Sequence, residues 1–179
     1  TYKNILKALE TSDAKVHILP GFIASNDKGE ITTLGRGGSD FTAALVANAV
    51  SADLLEIWTD VSGRFTANPQ LVRQAYPIDE ISYQEAMELS HFGAKVIYPP
   101  TIQPALQKGI PIRIKNTFNP KASGTLITNE LDQNGKTVQG LTSITNVVLV
   151  NLKGPGMVGV PSMSQRLFKC FAEENINII

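Results

Sequence analysis

An α/β protein is predicted, with a mainly parallel sheet flanked by helices and a partial α+β unit after it, from three features of the sequence. First, a β-rich run, Glu30–Leu34, passes through the glycine loop Gly35-Arg36-Gly37-Gly38-Ser39-Asp40 into an apolar, Ala-rich helical run from Phe41 to Val50. Second, another β-rich run, Leu54–Thr59, completes a strand–helix–strand order, which implies a parallel pair with a right-handed crossover. Third, the pattern restarts beyond Gly140. Val147–Leu152 reads as a strand, Gly154–Gly159 as a loop, Pro161 to about Glu174 as a helix and Ile176–Ile179 as a strand. The composition shift at 129–140 divides the chain into a first domain, 1–130, and a linker with a second, incomplete unit, 131–179.

Val16–Leu19 and Phe22–Ser25 read as short strands around Pro20-Gly21, and Asn26-Asp27-Lys28-Gly29 as a turn. The helix over about Asp40–Ser51 takes Ser39 or Asp40 as its N-cap. Asp60–Pro69 is a polar loop. Ser82-Tyr83-Gln84-Glu85 has the form of a capping box and starts a helix through about Ser90. A helix near Thr101–Lys108 ends at Gly109, followed by a strand at Pro111–Lys115 and a short one at Gly124–Thr128. Ligands of such sheets sit beyond the carboxyl ends of the strands. That rule puts the Gly35 loop and the Asp60 loop on one edge.

The bulk properties exclude several classes. With 42% hydrophobic and 18% charged residues the chain can bury a core. Sixteen basic residues balance sixteen acidic ones, so no net field favours nucleic acid or an anionic membrane. No stretch has the roughly 20 apolar residues of a membrane span. Thr1-Tyr2-Lys3-Asn4 is no signal peptide and lacks an initiator Met. The terminal Asn175-Ile176-Asn177-Ile178-Ile179 stops inside an apparent strand, so a piece of a longer protein is expected. A single cysteine, Cys170, fits a reducing cytoplasm and reads as a packed thiol beside Leu167, Phe168 and Phe171. His17 and His91 lack partners at metal-ligand spacing and read as structural or surface residues.

The glycine loop carries the clearest chemistry. Glycines let the backbone approach a ligand closely, and the first turn of the following helix presents unpaired N–H groups with partial positive charge. Arg36 adds a planar fork suited to a carboxylate or phosphate. The alternative is a tight turn with a solvated arginine.

Three segments go further. Gly35-Arg36-Gly37-Gly38-Ser39-Asp40, Thr59-Asp60-Val61-Ser62-Gly63 and Phe92-Gly93-Ala94-Lys95-Val96-Ile97 occur in this order with ordinary spacing. Together they resemble the aspartate kinases of the amino-acid kinase superfamily. Nearly the whole chain is covered, because the part after Gly140 resembles the start of those enzymes' ACT regulatory region. The wording Gly154-Pro155-Gly156-Met157-Val158-Gly159 is most similar to bifunctional aspartokinase–homoserine dehydrogenases. The resemblance implies an amino-acid-kinase-like (carbamate-kinase-like) catalytic domain followed by a partial ferredoxin-like ACT unit. It implies transfer of the ATP γ-phosphoryl to the β-carboxylate of L-aspartate, with Mg²⁺, in threonine, lysine and methionine biosynthesis.

By the same carry-over, Arg36 grips an aspartate carboxylate, with Gly38 and Ser39 adding backbone and hydroxyl contacts. Asp40 sits at the reacting centre, orienting donors or the metal; the other reading is a helix-capping carboxylate. Thr59, Asp60, Phe65, Lys95 and Val96 hold the nucleotide, with Phe65 in the place of a frequent tyrosine. Lys95 is otherwise a solvated lysine at a helix end. Gln70 stands where many members have arginine and is left out of the site. Met157, Gly159 and Ile178 fall in the effector region, and the apolar Ile179, where lysine-inhibited relatives carry an acid, favours threonine over lysine. A homo-oligomer through the ACT region is implied.

Residues 1–34 contain no match to the family's Lys-Phe-Gly-Gly phosphate loop, so the chain alone is expected to be essentially inactive. Gly154-x-Gly156-x-x-Gly159 matches a dinucleotide fingerprint by letter. Pro161 and the lack of a later acidic residue argue against that reading. Two alternatives stay open: a regulatory or oligomerisation module without catalysis, and another amino-acid kinase acting on glutamate or acetylglutamate.

Overall fold

The structure is a computed structural model that describes residues 1–91, 99–129, 138–152, 162–176 and 178. Along the chain, α1 (Tyr2–Glu10) precedes β1 (Ile23–Ser25) and β2 (Ile31–Thr33), and α2 (Gly38–Val50) leads to β3 (Leu55–Thr59). There follow β4 (Glu80–Ser82), α3 (Tyr83–His91), α4 (Pro99–Leu106), β5 (Ile112–Asn116), β6 (Thr125–Thr128) and α5 (Ser162–Glu173).

Isoleucine at alternate positions builds the main sheet. Its order is β3-β5-β6-β4, with β3 parallel to β5, β4 parallel to β6, and β5 antiparallel to β6. The sheet is therefore mixed within the expected α/β class. The register sets Leu55 beside Ile112, Ile57 beside Ile114 and Ile112 beside Ile127. All five are buried on one face, whereas Glu56 and Trp58 of β3 are exposed. Each buried isoleucine contributes about 1.5–3 kcal/mol relative to an exposed one. Ala44 and Ala47 of α2, with Ile102 and Ala105 of α4, join the same core. The small alanines let α2 and α4 pack closely.

One polar group is buried in that seam. Pro104 lies inside α4, and Lys108 donates its N–H to Ala105 O rather than to Pro104 O. The Asn48 Nδ2 donates to Pro104 O instead, at 2.6 Å. A single side chain of α2 thus satisfies a carbonyl at the end of α4.

The predicted helix boundaries hold where local chemistry sets them. Ser82 and Glu85 form the expected box: Glu85 Oε2 accepts from Ser82 N and Ser82 Oγ, each at 2.8 Å, and Glu85 N donates to Ser82 Oγ at 3.1 Å. After α4, Gly109 donates to Leu106 O and Ile110 to Ala105 O, each at 3.0 Å, the paired bonds of a Schellman ending. Gly124 has φ +74°, and a Cβ there would lie 1.9 Å from Ile114 O, so only glycine fits between β5 and the start of β6.

Several expectations are corrected. β2 does not pair with β3; among the described residues it pairs only with β1, antiparallel, in a separate two-stranded sheet. The Asn26 side chain accepts the N–H groups of Lys28 and Glu30, each at 3.0 Å, closing a local turn that captures β2 before any distant strand can. Among the described residues nothing covers β2, and Ile31 is 83% exposed. Val16–Leu19 forms no strand. Neither Ser39 nor Asp40 caps α2: the cap is Gly37, at φ +70°, and both residues lie in the first helical turn. Residues 147–152 form no strand either; Val148 and Leu149 stand exposed, with no ladder partner among the described residues. Ile176 and Ile178 are likewise outside any strand, and residues 177 and 179 lie outside the described residues. Cys170 is exposed on α5, not packed, because the apolar stripe of that helix passes beside it. The helix α1 has no counterpart among the expected elements.

The chain separates into two compact units, Thr1–Ile144 and Thr145–Ile179. Leu141 N–H donates to Thr66 O at 2.7 Å, so the segment from 138 to 144 runs with the first unit rather than the second. In the second unit α5 carries one exposed i,i+4 pair, Lys169–Glu173 at 3.6 Å.

Candidate functional site

The glycine loop is held from behind. Phe22 O accepts from Leu34 N–H at 2.9 Å, and Phe22 N–H donates to Thr42 Oγ1 at 3.2 Å, fastening the hairpin to α2. Thr42 Oγ1 in turn donates to Gly38 O at 2.9 Å. A Cβ on Gly38 would meet Leu34 Cβ and Phe22 Cδ2 at 2.9 Å, so the buried Gly38 allows this close approach. Gly38 N–H is taken by Gly35 O at 3.1 Å. Among the described residues no side chain caps α2, which leaves the N–H groups of Ser39 and Asp40 able to meet an anion. Arg36 and Ser39 are exposed beside them, and Asp40 is half-buried. Burial pushes the Asp40 carboxyl above its ordinary value, and the Ser39 hydroxyl opposes this more weakly. A half-buried carboxylate at a helix N-terminus suits a group that meets a counter-charge on binding.

The second segment leaves the carboxyl end of β3. Thr59 Oγ1 donates to Asp60 Oδ1 at 3.0 Å, and Thr59 O accepts from Thr117 N–H at 2.8 Å. Asn116, at the carboxyl end of β5, donates through Nδ2 to Ser62 Oγ at 2.9 Å. Asp60 is exposed and Phe65 partly buried. Nearby, Lys115 Nζ stands 5.1 Å from the centroid of the Trp58 ring. Among the described residues no ion pair joins Arg36 to Asp60. Gln70 is exposed, its N–H donating to Asn68 Oδ1 at 2.9 Å.

Two residues with clear structural roles went unread in the sequence. Arg64 is 1% exposed. Its N–H donates to Thr125 Oγ1 at 2.7 Å, its carbonyl accepts from Ile78 N–H at 2.7 Å, and Nη2 donates to Ala86 O at 2.8 Å and to Ser90 Oγ. Burial draws its guanidinium down to about 10, so it stays charged at neutral pH. Asn116 is the other, and its place at the end of an alternating isoleucine strand was the available signal. Lys95, Val96, Met157 and Gly159 lie outside the described residues, and Ile178 is half-exposed. Among the described residues no three His, Cys, Asp or Glu side chains gather as a metal cage. No described helix is long and apolar enough to cross a membrane.

Comparison with known proteins places these observations in a family. The amino acid kinase family profile matches residues 1–116. A bifunctional aspartokinase/homoserine dehydrogenase of Haemophilus influenzae is 46% identical over 165 residues, covering 92% of this chain and 20% of that protein. The lysine-sensitive aspartokinase 3 of Escherichia coli is 42% identical over 161 residues, covering 90% of this chain and 36% of its own length. This chain therefore spans about a fifth to a third of these relatives. Among solved structures, E. coli aspartokinase III in complex with aspartate and ADP superposes with a TM-score of 0.59 at 50% identity, covering 63% of this chain and 25% of that one. The aspartate kinase of Clostridium acetobutylicum gives 0.69 at 40% identity, covering 78% and 32%. With a family profile matching well over half of its length, from α1 through β5, the chain belongs to the amino acid kinase family.

Proposed function

We propose that this chain is a stretch of an aspartate kinase, in which the γ-phosphoryl of ATP passes to the β-carboxylate of L-aspartate. The observation that carries the reading is how α2 meets β3. Ser51 adopts a left-handed conformation, and Ala52 N–H donates to Ala47 O at 2.9 Å, so the helix stops and the chain turns back within four residues into β3. A strand reached by so short a link runs against the preceding helix. This supports a common end for the uncapped start of α2 and for Asp60 beyond β3. The aspartokinase relatives, one of them solved with aspartate and ADP, favour this chemistry over other family members.

In this reading Arg36 grips a substrate carboxylate, with Ser39 contributing N–H and hydroxyl donors and the buried Gly38, whose own N–H is held by Gly35 O, letting the backbone come close. Asp40 lies beside the reacting oxygens; burial raises its pKa, and a cation bound beside it would favour the charged form. Thr59, Asp60, Phe65, Lys95 and Val96 meet the nucleotide. Mg²⁺ commonly binds through one or two carboxylates plus substrate phosphates, and isolated carboxylates such as Asp40 fit that mode better than a protein cage. When bound, such an ion neutralises charge on the phosphates; the residues here orient the acceptor and exclude competing geometries. The stretch after 144 is the opening of an ACT regulatory unit, with a homo-oligomer formed through it. The apolar Ile179 favours threonine over lysine as its effector.

The test is ADP release by the longer protein with L-aspartate and ATP. Arg36→Ala should raise KM for aspartate about tenfold to a hundredfold while KM for ATP holds. Equal turnover with glutamate or N-acetylglutamate would overturn the substrate. Threonine binding without any ADP release would point to a regulatory module.

A further inference from the structure

We propose that Arg64 is a positioning residue that locks the Asp60–Phe65 loop to the last turns of α3, and so sets the nucleotide-binding geometry. This rests on the kinase reading above. Arg64 lies four residues after Asp60 and directly before Phe65, both assigned there to the nucleotide. Its backbone is anchored at both ends, to Thr125 Oγ1 and by Ile78 N–H, each bond 2.7 Å long. Thr125 Oγ1 in turn donates to Ile78 O at 2.6 Å, closing a small buried network between β6 and the segment before β4. From that fixed base the side chain crosses to α3, donating to Ala86 O at 2.8 Å and to Ser90 Oγ. Ser90 Oγ also donates to Ala86 O at 2.6 Å, so the guanidinium joins an existing bond in the helix. Beyond His91 the chain runs directly into Phe92–Val96, the stretch containing Lys95. One side chain therefore ties the Asp60–Phe65 loop to the helix that precedes Lys95 in the sequence.

Filling space does not explain an arginine here. A methionine would occupy a similar volume without the cost of desolvating a cation. What methionine lacks is directional donors, which fix the position of α3 along and about its axis. Small misplacements at a transfer site are costly in rate, so this rigidity has a function.

The experiment uses the longer protein and three variants: Arg64→Met, Arg64→Lys and Ser90→Ala. Thermal melts and steady-state kinetics are read for each, with nucleotide affinity by titration calorimetry. Arg64→Met should raise KM and Kd for ATP about tenfold while KM for aspartate stays within about twofold. Arg64→Lys, keeping one donor head, should recover part of the loss. Ser90→Ala should give a smaller rise, about threefold, with an unchanged melt, which keeps the test valid if Arg64→Met folds poorly. Unchanged ATP parameters in Ser90→Ala, with only a lowered melt in the Arg64 variants, would reduce Arg64 to a stability role and overturn the proposal. Absence of ATP binding by the unaltered protein would overturn the kinase reading itself, and this assignment with it.

Discussion

The helices α2 and α5 are nearly equal in length, 13 and 12 residues, and meet opposite fates. α2 is apolar around much of its circumference and buries Gly38, Ala44, Ala47, Asn48 and Ala49. α5 confines its larger apolar groups largely to one stripe, with Met163, Leu167 and Phe171 at four-residue spacing, and buries nothing. The first finds its cover in α4 and β3 of the same unit. Among the described residues of the second unit, none is buried, so the stripe of α5 has no comparable cover there. Helical periodicity states which face needs a neighbour, and only the tertiary structure says whether this chain supplies it.

The comparison can be attacked first through the core beneath α2. Gly124→Ala would force a Cβ to within 1.9 Å of Ile114 O at a left-handed backbone position. A loss above about 4 kcal/mol is expected in chemical denaturation of the first unit. A loss under about 1 kcal/mol would mean that the sheet is not the rigid platform described. Asp40→Asn is the intermediate case and probes the first turn of α2. The native carboxyl has a raised folded pKa, so its contribution to stability is present below the ordinary carboxylate range and is lost as pH rises through the folded pKa. The amide variant should therefore melt a few degrees higher at pH 7, with the gap closing in acid, while losing kinase activity. A lower melt at pH 7 would contradict the cause assigned to the shift. Phe168→Ser on α5 comes last. Its side chain is exposed, and a change within about 0.5 kcal/mol is expected in the same measurement. A larger loss would show that α5 has a packed partner after all.

Local chemistry was legible in the sequence, and long-range partnership was not. Ile112 and Ile114, Leu55 and Ile57 announced strands by alternation, and Ser82 with Glu85 announced a helix start. The spacing of Tyr2, Ile5, Leu6 and Leu9 was an equally clear helical signal and marks α1. Pairing was harder. Ile31–Thr33 looked like the first strand of a parallel unit, yet Asn26 closes a hairpin on it before any crossover forms. Val147–Leu152 has strand composition, but a strand exists only with a ladder partner. The support for a common end of α2 and β3 comes from the turn at Ser51, not from the crossover that the sequence suggested. Arg36 stood out by residue type as suited to an anion, whereas the roles proposed for Ser39, Asp40, Thr59 and Asp60 came with the resemblance to aspartate kinases. Arg64 did not stand out, because a charged residue in a polar loop reads as solvated, and its acceptors lie 22 and 26 residues further along.

The bond from Asn48 to the carbonyl of Pro104 has a consequence for how two smooth helices choose their alignment. Alanine surfaces slide past one another with little preference, and a shift of α4 along α2 by one turn would cost them little contact. The amide removes that freedom, because at any other offset a carbonyl would be stranded in a dry interior and the donor left without its acceptor. Replacing Asn48 with leucine would add oil to the joint and take away its index mark, leaving β5, which follows α4 directly, free to drift against β3.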